Sequence, residues 1–300
     1  MTTDKYPFVS VIIPVFDDAE RLRLCLEALR AQTYPRDACE ILVIDNGSRE
    51  DIMPLAGKYD RVKLLREPRP GSYAVRNLGL QAAKGPMIAF TDADCIPDNN
   101  WLEMGVYHFM NTPGCGLVAG KIDLLFDNPE KLSLAEIYEK HISFDQEFYI
   151  NEKHFGATAN LFTALDVIGK IGPFDARLKS GGDAQWGRKV SEYGLTLIYR
   201  ADVRVKHPSR KRLRELMRKY RRLVGGFIEI EKRHPHPILS FLFGIRDDLN
   251  LIYLYRLLKR KKALTGRTIL IKLLFVISLI SITRLCERTF LFLGGTPKRR

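Results

Sequence analysis

The sequence lacks the cysteine pattern of a disulfide-stapled or zinc-binding protein. Its five cysteines are odd in number and scattered, with no C-x-x-C pair, so reduced thiols in the cytoplasm are the simplest interpretation. No basic stretch followed by an apolar run opens the chain, which predicts no signal peptide. No internal repeat or low-complexity segment is visible. With 300 residues and 46% hydrophobic content, the chain can bury a substantial core as one large domain or two smaller ones.

Charge is distributed unevenly along the chain. Residues 1–200 carry 23 Lys and Arg against 28 Asp and Glu, whereas residues 201–300 carry 25 against 7. A mildly acidic body therefore precedes a strongly basic C-terminal third, which accounts for the net charge of +13. Such asymmetry predicts a polyanionic partner, either an anionic membrane surface or nucleic acid.

The basic third also contains the most apolar region, Thr268 to Leu293, whose longest charge-free run is the eleven residues Leu273 to Thr283. A membrane-spanning helix needs about 20 apolar residues. On a helical wheel the charges share one face, which favours a helix lying in the membrane interface, with a tilted spanning helix as the alternative. Two basic clusters precede it, a predicted helix over residues 210–222 and a run at 259–262. We therefore expect the protein at the cytoplasmic face of the cell membrane. The wheel argument rests on Lys272, Arg284, Glu287 and Arg288.

A pair of carboxylates, Asp92 and Asp94, follows a short apolar strand predicted over residues 87–90. Side chains alternate along a strand, so these two carboxylates point the same way. They repel each other unless a cation lies between them. Hard oxygen ligands that leave positions open suit Mg²⁺ or Mn²⁺ shared with a substrate phosphate. An ordinary Asp-rich turn is the alternative interpretation of this motif alone.

Two further acidic clusters follow predicted strands, Pro14 to Asp17 and Asp45 to Ser48. The amphipathic helix between these strands predicts a parallel βαβ unit with a right-handed crossover. Because ligands bind beyond the carboxyl ends of such strands, the acidic clusters are expected at one ligand-binding edge. Arg76 lies in the first turn of a predicted helix after a glycine-containing loop, where it can face a phosphate or a base.

The second half of the chain is predicted to be more irregular. One helix is expected over residues 132–148, and another over 184–193 with Asp183 as its N-cap. Two short strands are expected over residues 195–199 and 203–205, ended by His207 and Pro208.

The ordered series of motifs resembles the family 2 glycosyltransferases, which are inverting enzymes of the GT-A fold. The resemblance covers about residues 7–210. It implies a Rossmann-like mixed α/β sheet flanked by helices, with a nucleotide-sugar-binding half in residues 1–125 and an acceptor-binding half in residues 126–210. Residues 211–300 form the basic, apolar helical extension. The matching segments are Val9–Phe16, Ile44–Ser48, Ala74–Gly79, Phe90–Asp94, Gly156–Asn160, Ile171–Asp175, Gly181–Asp183 and His207.

The resemblance implies roles on the donor side. The donor would be a nucleotide-diphosphate-sugar, most commonly a UDP-sugar. Asp45 would accept a hydrogen bond from the base, Arg76 would line the same pocket, and Asp92 would lie near the ribose and the metal. Asp94 would bind Mn²⁺ or Mg²⁺, which neutralises the departing diphosphate. His207 would be a further ligand, or a plain loop histidine. The nucleotide would also be bordered by Pro14, Val15 and Asp17.

On the acceptor side, Asp183 would be the general base that takes the proton of an acceptor hydroxyl during in-line attack, which gives inversion. The family usually places Glu or Asp before this base, whereas here Gly182 precedes it. Asn46 replaces a commoner second aspartate after Asp45, a departure that bears on nucleotide identity. Trp186 is also open to a core role. The expected acceptor-side residues are Gly156, Asn160, Gly182, Trp186 and Arg188.

The acceptor implied by the resemblance is a glycan or a lipid-linked molecule of cell-envelope polysaccharide biosynthesis. Two alternatives differ in their sequence requirements. A sugar-nucleotide nucleotidyltransferase would want a glycine-rich loop with a basic residue after the first strand, and residues 14–18 offer neither. A nucleic-acid-binding protein would explain the basic tail. That tail mixes its charges with long aliphatic runs, so we expect a membrane surface as partner and no nucleic acid.

Overall fold

The computed structural model describes residues 6–178, 180–231, 236–248 and 266–296. Its strands are β1 (Val9–Val15), β2 (Cys39–Asp45), β3 (Val62–Arg66), β4 (Met87–Thr91), β5 (Ile96–Pro97), β6 (Cys115–Leu125), β7 (Asn160–Ala164) and β8 (Thr196–Pro208). Its α-helices are α1 (Ala19–Arg30), α2 (Met53–Ala56), α3 (Ser72–Ala82), α4 (Trp101–Met110), α5 (Leu134–Ile142), α6 (Gln146–Lys153), α7 (Leu165–Ile171), α8 (Gly182–Glu192), α9 (Leu213–Glu231), α10 (Pro237–Asp248) and α11 (Arg267–Phe292).

The strands form one mixed sheet in the order β3-β2-β1-β4-β7-β6-β8-β5. Strand β1 pairs in parallel with β2 and with β4, whereas β7 is antiparallel to both β4 and β6. Nearly every residue of β1, β2 and β4 is buried, as expected for apolar strands covered by helices on both faces. The predicted α/β class, a mixed sheet flanked by helices, is confirmed.

The structure corrects three boundaries in the second half. The helix predicted over residues 132–148 is two helices, α5 and α6, because Phe144 adopts a left-handed backbone with φ of 55°. Asp145 then caps α6 by accepting a hydrogen bond from the N–H of Phe148. The two short strands predicted around residues 195–205 are one strand, β8, which extends through His207. Helix α8 begins at Gly182, so Asp183 lies in its first turn and is not its N-cap.

The chain divides into two compact units. The first, called the sheet unit here, contains Met1–Leu125, Phe144–Arg177 and Gly182–Pro208. The second, called the helical unit here, contains Phe126–Ser143, Leu178–Gly181 and Ser209–Arg300. The assignment of donor binding to residues 1–125 and acceptor binding to 126–210 remains a prediction, since compactness carries no information on ligands.

Within the helical unit, α5, α9 and α11 share an apolar core that includes Tyr138, Leu216 and Val276. Glu139 is fully buried beside this core and contacts Arg210 Nη1 at 2.7 Å and Lys219 Nζ at 3.4 Å. Although burial pushes the pKa of Glu139 upward, Lys219 and Arg210 hold that pKa below its usual range. A buried charge needs such partners, so two residues of the predicted basic cluster neutralise a carboxylate inside the unit.

Helix α11 has an unusual division of its faces. Its inward face packs against the rest of the unit, and here Glu287 lies 3.7 Å from Arg221 of α9 while Arg288 is 2% exposed. The charges that a helical wheel groups on one face are therefore partly covered by protein. The outward face is apolar, with Ile271, Phe275 and Ile282 each more than half exposed. The predicted apolar helical extension is confirmed for these described residues, whereas the basic run at 259–262 lies outside them.

Candidate active site

The carboxyl ends of β1 and β2 are joined through their loops. Asp17, which follows β1, adopts a left-handed backbone with φ of 49°. Its N–H donates to Ser48 Oγ at 2.9 Å, and its Oδ1 accepts from the N–H of Arg49 at 2.8 Å. Asp45 ends β2 and accepts from the N–H of Ser48 at 2.8 Å. The carboxylates of Asp17 and Asp45 thus belong to one tied pair of loops at the predicted edge of the sheet.

Asn46 fixes the loop that leads into α3. Its Nδ2 donates to the carbonyls of Glu67 and Arg69, both at 2.8 Å. Its Oδ1 accepts from the N–H of Gly71 at 3.0 Å. Gly71 has φ of 130°, a conformation that L side chains rarely adopt. An aspartate here would have no N–H to donate, so the departure from Asp-Asp-Gly-Ser has a structural reason in this chain.

The two carboxylates after β4 have different partners. Asp92 Oδ1 lies 2.5 Å from Arg76 Nη2. The Arg76 side chain is 4% exposed, and its Nε is buried without a hydrogen-bond partner within the described part of the chain. Arg76 therefore lies beneath Asp92, which the guanidinium neutralises, and does not stand open in a pocket.

Asp94 faces His207, which β8 brings to the same place. Asp94 Oδ2 lies 3.5 Å from His207 Nε2. His207 Nδ1 is 2.7 Å from the carbonyl of Pro208, and a carbonyl can only accept, so Nδ1 carries the proton and Nε2 presents a lone pair in the neutral ring. Burial raises the pKa of Asp94, the charge of Asp92 adds to this rise, and a protonated His207 would oppose it.

This pair suits a divalent cation. A carboxylate oxygen and an imidazole lone pair that face each other are both ligands, and a cation between them would relieve the penalty on the buried charge. Among the residues described, no three His, Cys, Asp or Glu side chains form a metal-binding group. A cation bound here would have Asp94 and His207 as its protein ligands and would leave positions for phosphate oxygens, as Mg²⁺ and Mn²⁺ sites in phosphate chemistry commonly do.

Asp183 is held at the start of α8 by two donors. Its Oδ1 accepts from the N–H of Ala184 at 2.9 Å and from the Tyr73 hydroxyl at 3.1 Å. Burial raises the pKa of Asp183 against the opposing effects of Arg76, which carries positive charge, and of these hydrogen bonds. Arg76 also lies 6.0 Å from the centre of the Tyr73 ring. Contacts therefore run from Asp183 through Tyr73 and Arg76 to Asp92.

Three residues predicted on the acceptor side belong to the core. Asn160 is fully buried and receives a hydrogen bond from Trp101, while its own amide donates to two backbone carbonyls. Trp186 is 1% exposed and donates from Nε1 to the carbonyl of Gly172. A Cβ on Gly156 would meet Ala119 at 2.9 Å. Burial gives these three residues structural roles, and their contact with an acceptor stays a prediction.

Arg188 is exposed on α8, and Gly182 lies against Tyr73. Sequence reasoning did not single out Tyr73, whose bond to Asp183 joins residues 110 positions apart in the chain. Its position in an apolar helix turn gives no local signal of such a partner. Pro14 and Val15 end β1 as predicted.

The fold defines the class of protein. This mixed sheet is that of the GT-A glycosyltransferases, and the chain is similar over 96% of its length to the mannosyltransferase PcManGT of Pyrobaculum calidifontis, whose structure is in complex with GDP-Man and Mn²⁺. That match has a TM-score of 0.63 at 18% identity and covers 88% of PcManGT. S. aureus TarS is similar over 71% of this chain and 38% of its own, with a TM-score of 0.53 at 17% identity.

The sequence identifies the family. The profile of glycosyl transferase family 2 matches residues 10–174. Glycosyltransferase AglE of Haloferax volcanii is 38% identical over 233 residues, 76% of this chain and 75% of AglE. The pre-mycofactocin glycosyltransferase of Mycobacterium tuberculosis is 27% identical over 234 residues, which span 48% of that protein. The chain belongs to glycosyltransferase family 2, and its prediction as a glycosyltransferase using a nucleotide sugar is confirmed. The family match ends before Asp183 and His207.

The role of Asn46 can be measured through stability. Asn46→Asp removes both hydrogen bonds that the side chain donates, so the free energy of unfolding should fall by about 1–3 kcal/mol. Urea unfolding followed by circular dichroism measures this change. Asn151→Asp, on the exposed surface of α6, is the matched control and should stay within about 0.5 kcal/mol of the parent. Equal stability of the two variants would contradict the structural role of Asn46.

Proposed function

We propose that the protein is an inverting, metal-dependent glycosyltransferase. It moves a sugar from a nucleotide-diphosphate-sugar to a hydroxyl of a glycan or lipid-linked acceptor. One observation carries this proposal: a half-buried carboxylate, Asp183, is linked through Tyr73 and Arg76 to Asp92, which follows β4. Such an arrangement provides a proton acceptor, Asp183, close to the strand ends where the diphosphate of the donor would bind.

The donor would bind along the carboxyl ends of β1, β2 and β4. Asp45, only 9% exposed, is suited to accept a hydrogen bond from the base, as in the family it resembles. Asp94 and His207 would hold Mn²⁺ or Mg²⁺, and Asp92, neutralised by Arg76, would border the ribose. The cation, when bound, stabilises the negative charge of the departing diphosphate. The base is expected to be uracil, although the solved relative PcManGT is in complex with GDP-Man.

Asp183 would act on the acceptor. Its Oδ1 is occupied by two donors, so Oδ2 is the oxygen that would take the proton of the attacking hydroxyl. The proton moves to the carboxylate as the oxygen bonds to the anomeric carbon and the bond to the diphosphate breaks. A single base acting on the face opposite the leaving group inverts the anomeric configuration. Arg188, exposed on the same helix, remains a predicted acceptor contact.

The donor and the metal requirement can be tested together. The full-length protein should release nucleoside diphosphate from a member of a panel containing UDP-glucose, UDP-N-acetylglucosamine and GDP-mannose, in buffer with Mn²⁺, and EDTA should abolish the release. Asp94→Asn should lose at least tenfold in turnover, because it removes a charged ligand, whereas Asp166→Asn on exposed α7 should match the parent. Undiminished turnover of Asp94→Asn would contradict the metal assignment.

The base has its own test. Asp183→Asn keeps the size of the side chain and cannot take a proton, so transfer should fall about 10²–10⁴-fold, the usual effect of losing a general base. Donor affinity measured by calorimetry should be unchanged. Because burial raises the pKa of Asp183, the acid limb of the parent's pH profile should lie above the ordinary aspartate value of about 3.9, and activity should be lost as pH falls through it. Lost donor binding in Asp183→Asn would instead assign Asp183 to the donor site.

The helical unit supports attachment to a membrane surface. Helix α11, Arg267–Phe292, is the one described helix long and apolar enough to cross a membrane. Four apolar residues of α10 are also more than half exposed, and Phe241 of α10 stacks on Phe292 of α11 with ring centroids 4.0 Å apart. Exposed apolar surface of this extent is typical of a contact with lipid or another protein. The residues on α10 are Ile238, Leu239, Leu242 and Phe243.

Attachment in the interface is favoured over spanning. Helix α11 runs beside α9, with contacts from Met217 to Thr283 and from Arg221 to Glu287. Helix α9 exposes arginines in its N-terminal half, and arginine within hydrocarbon is strongly unfavourable. Helix α11 has an apolar outward face and α9 exposes cations. Such a pair of helices suits the boundary between lipid headgroups and acyl chains. The exposed basic residues of and before α9 are Lys211, Arg212, Arg214, Arg218, Arg221 and Arg222.

Vesicle flotation tests this attachment. The full-length protein should float with vesicles of phosphatidylcholine and phosphatidylglycerol, less with phosphatidylcholine alone, because each Lys or Arg near an anionic surface contributes about 1 kcal/mol. Phe275→Glu should weaken flotation, whereas Met110→Glu, which replaces an equally exposed apolar residue of the sheet unit, should not. Carbonate washing should release the protein from membranes. Full retention after carbonate would favour a spanning helix.

A further inference from the structure

Tyr73 occupies the space in front of Gly182. An ideal Cβ on Gly182 would meet three ring atoms of Tyr73 at 2.7, 2.8 and 2.9 Å, closer than real Cβ contacts come. The ring cannot simply move away, because Tyr73 is 5% exposed and packs against Phe174 with centroids 5.7 Å apart. A side chain at position 182 and the tyrosine ring at position 73 therefore exclude each other.

The backbone alone does not demand glycine at position 182. The glycines with positive φ in the described chain include Gly181 and do not include Gly182, which is the first residue of helix α8. Any residue could adopt this helical conformation. The family to which the chain belongs usually has Glu or Asp before its base, so the missing carboxylate is explained by the ring that fills its space.

The hydroxyl of the same ring reaches the base. It donates to Asp183 Oδ1 at 3.1 Å, the same oxygen that accepts from the N–H of Ala184. We propose that Tyr73 is a positioning residue which, paired with Gly182, replaces the acidic neighbour of the base and orients Asp183 so that Oδ2 faces the acceptor. This inference rests on the proposed role of Asp183 as general base.

The chemistry of the pair is consistent with that role. Burial and the nearby charge of Asp183 raise the pKa of Tyr73, so the hydroxyl remains a donor throughout the working pH range. A hydrogen bond donated to a carboxylate favours its charged form and lowers its pKa. The groups that face Asp183 are Tyr73 and Arg76, both on α3, and the N–H of Ala184 on its own helix. The tyrosine thereby stabilises the deprotonated base that the reaction requires.

Tyr73→Phe isolates the hydroxyl, since it keeps the ring against Gly182. We expect turnover of the donor identified in the panel to fall about tenfold or more, while the KM for that donor stays unchanged. The acid limb of the pH profile should move to higher pH, because the hydrogen bond that lowers the pKa of Asp183 is gone. Tyr59→Phe is the matched control, because the Tyr59 hydroxyl donates to Glu27 at 2.8 Å away from the site, and it should behave as the parent.

The effect of the Tyr73 hydroxyl on the pKa of Asp183 can also be measured without substrate. Carbon-13 NMR titration of aspartate-labelled protein, with Asp183→Asn to assign the resonance, should give Asp183 a higher pKa in Tyr73→Phe than in the parent. An unchanged pKa together with unchanged turnover would overturn the proposal. If Asp183→Asn itself keeps full transfer, the proposed base is wrong. If Asp183→Asn loses transfer and Tyr73→Phe does not, only the role of Tyr73 is wrong.

Substitutions at both Tyr73 and Gly182 test whether a side chain at position 182 and the tyrosine ring exclude each other. Gly182→Asp alone should lower turnover at least tenfold, because its Cβ collides with the tyrosine ring. Tyr73→Ser combined with Gly182→Asp removes the ring and restores the family's carboxylate, so the double variant should be more active than Gly182→Asp alone. A double variant no better than the single one, or a Gly182→Asp variant as active as the parent, would overturn the exchange.

Discussion

The ion pair between Arg76 and Asp92 is the interaction on which the site depends. Parallel strands bring their carboxyl ends to one edge, and in this chain those ends carry aspartates, whose mutual repulsion has to be offset. Arg76 offsets it at 2.5 Å from Asp92 while being almost fully buried. The buried guanidinium needs such a partner, whereas the Asp92 side chain is 33% exposed and also meets solvent. The pair therefore fixes α3 against the end of β4, and the same helix presents Tyr73 to Asp183.

The elements whose signals lie in neighbouring residues were predicted well. The β-branched run of β1 and the apolar run of β4 identify buried strands, and the acidic residues after them mark the ligand edge. The sequence does not predict the break between α5 and α6, because this break depends on the positive φ of Phe144. Phenylalanine rarely adopts that conformation, so its presence gives no signal of it. The two strands predicted over residues 195–199 and 203–205 leave a gap between them, yet the pairing of β8 with β6 continues past this gap with a shift in register.

The residues of the site divide in the same way. Motif order predicts Asp45, Asp92, Asp94 and Asp183 as site residues, and the structure shows which groups each of them contacts. The sequence predicts Asn160 as a ligand-binding residue. Its amide oxygen, however, accepts a hydrogen bond from Trp101, and its amide nitrogen donates to two backbone carbonyls. Small and polar residues in a loop carry no sign of whether their hydrogen bonds are internal. Only the burial of their partners, set by distant segments, decides that question.

Helix α11 shows how a wheel diagram misleads when a helix has protein neighbours. The wheel sorts residues by direction and assumes that charge faces water and apolar surface faces lipid. In the helical unit, Glu287 instead faces Arg221 of α9, and Arg288 is buried. Partners within the unit thus satisfy charge on the inward face, which allows the outward face to be almost wholly apolar. Exposed apolar surface on one side of a helix, with protein packed on the other, is typical of a contact with lipid or with another protein.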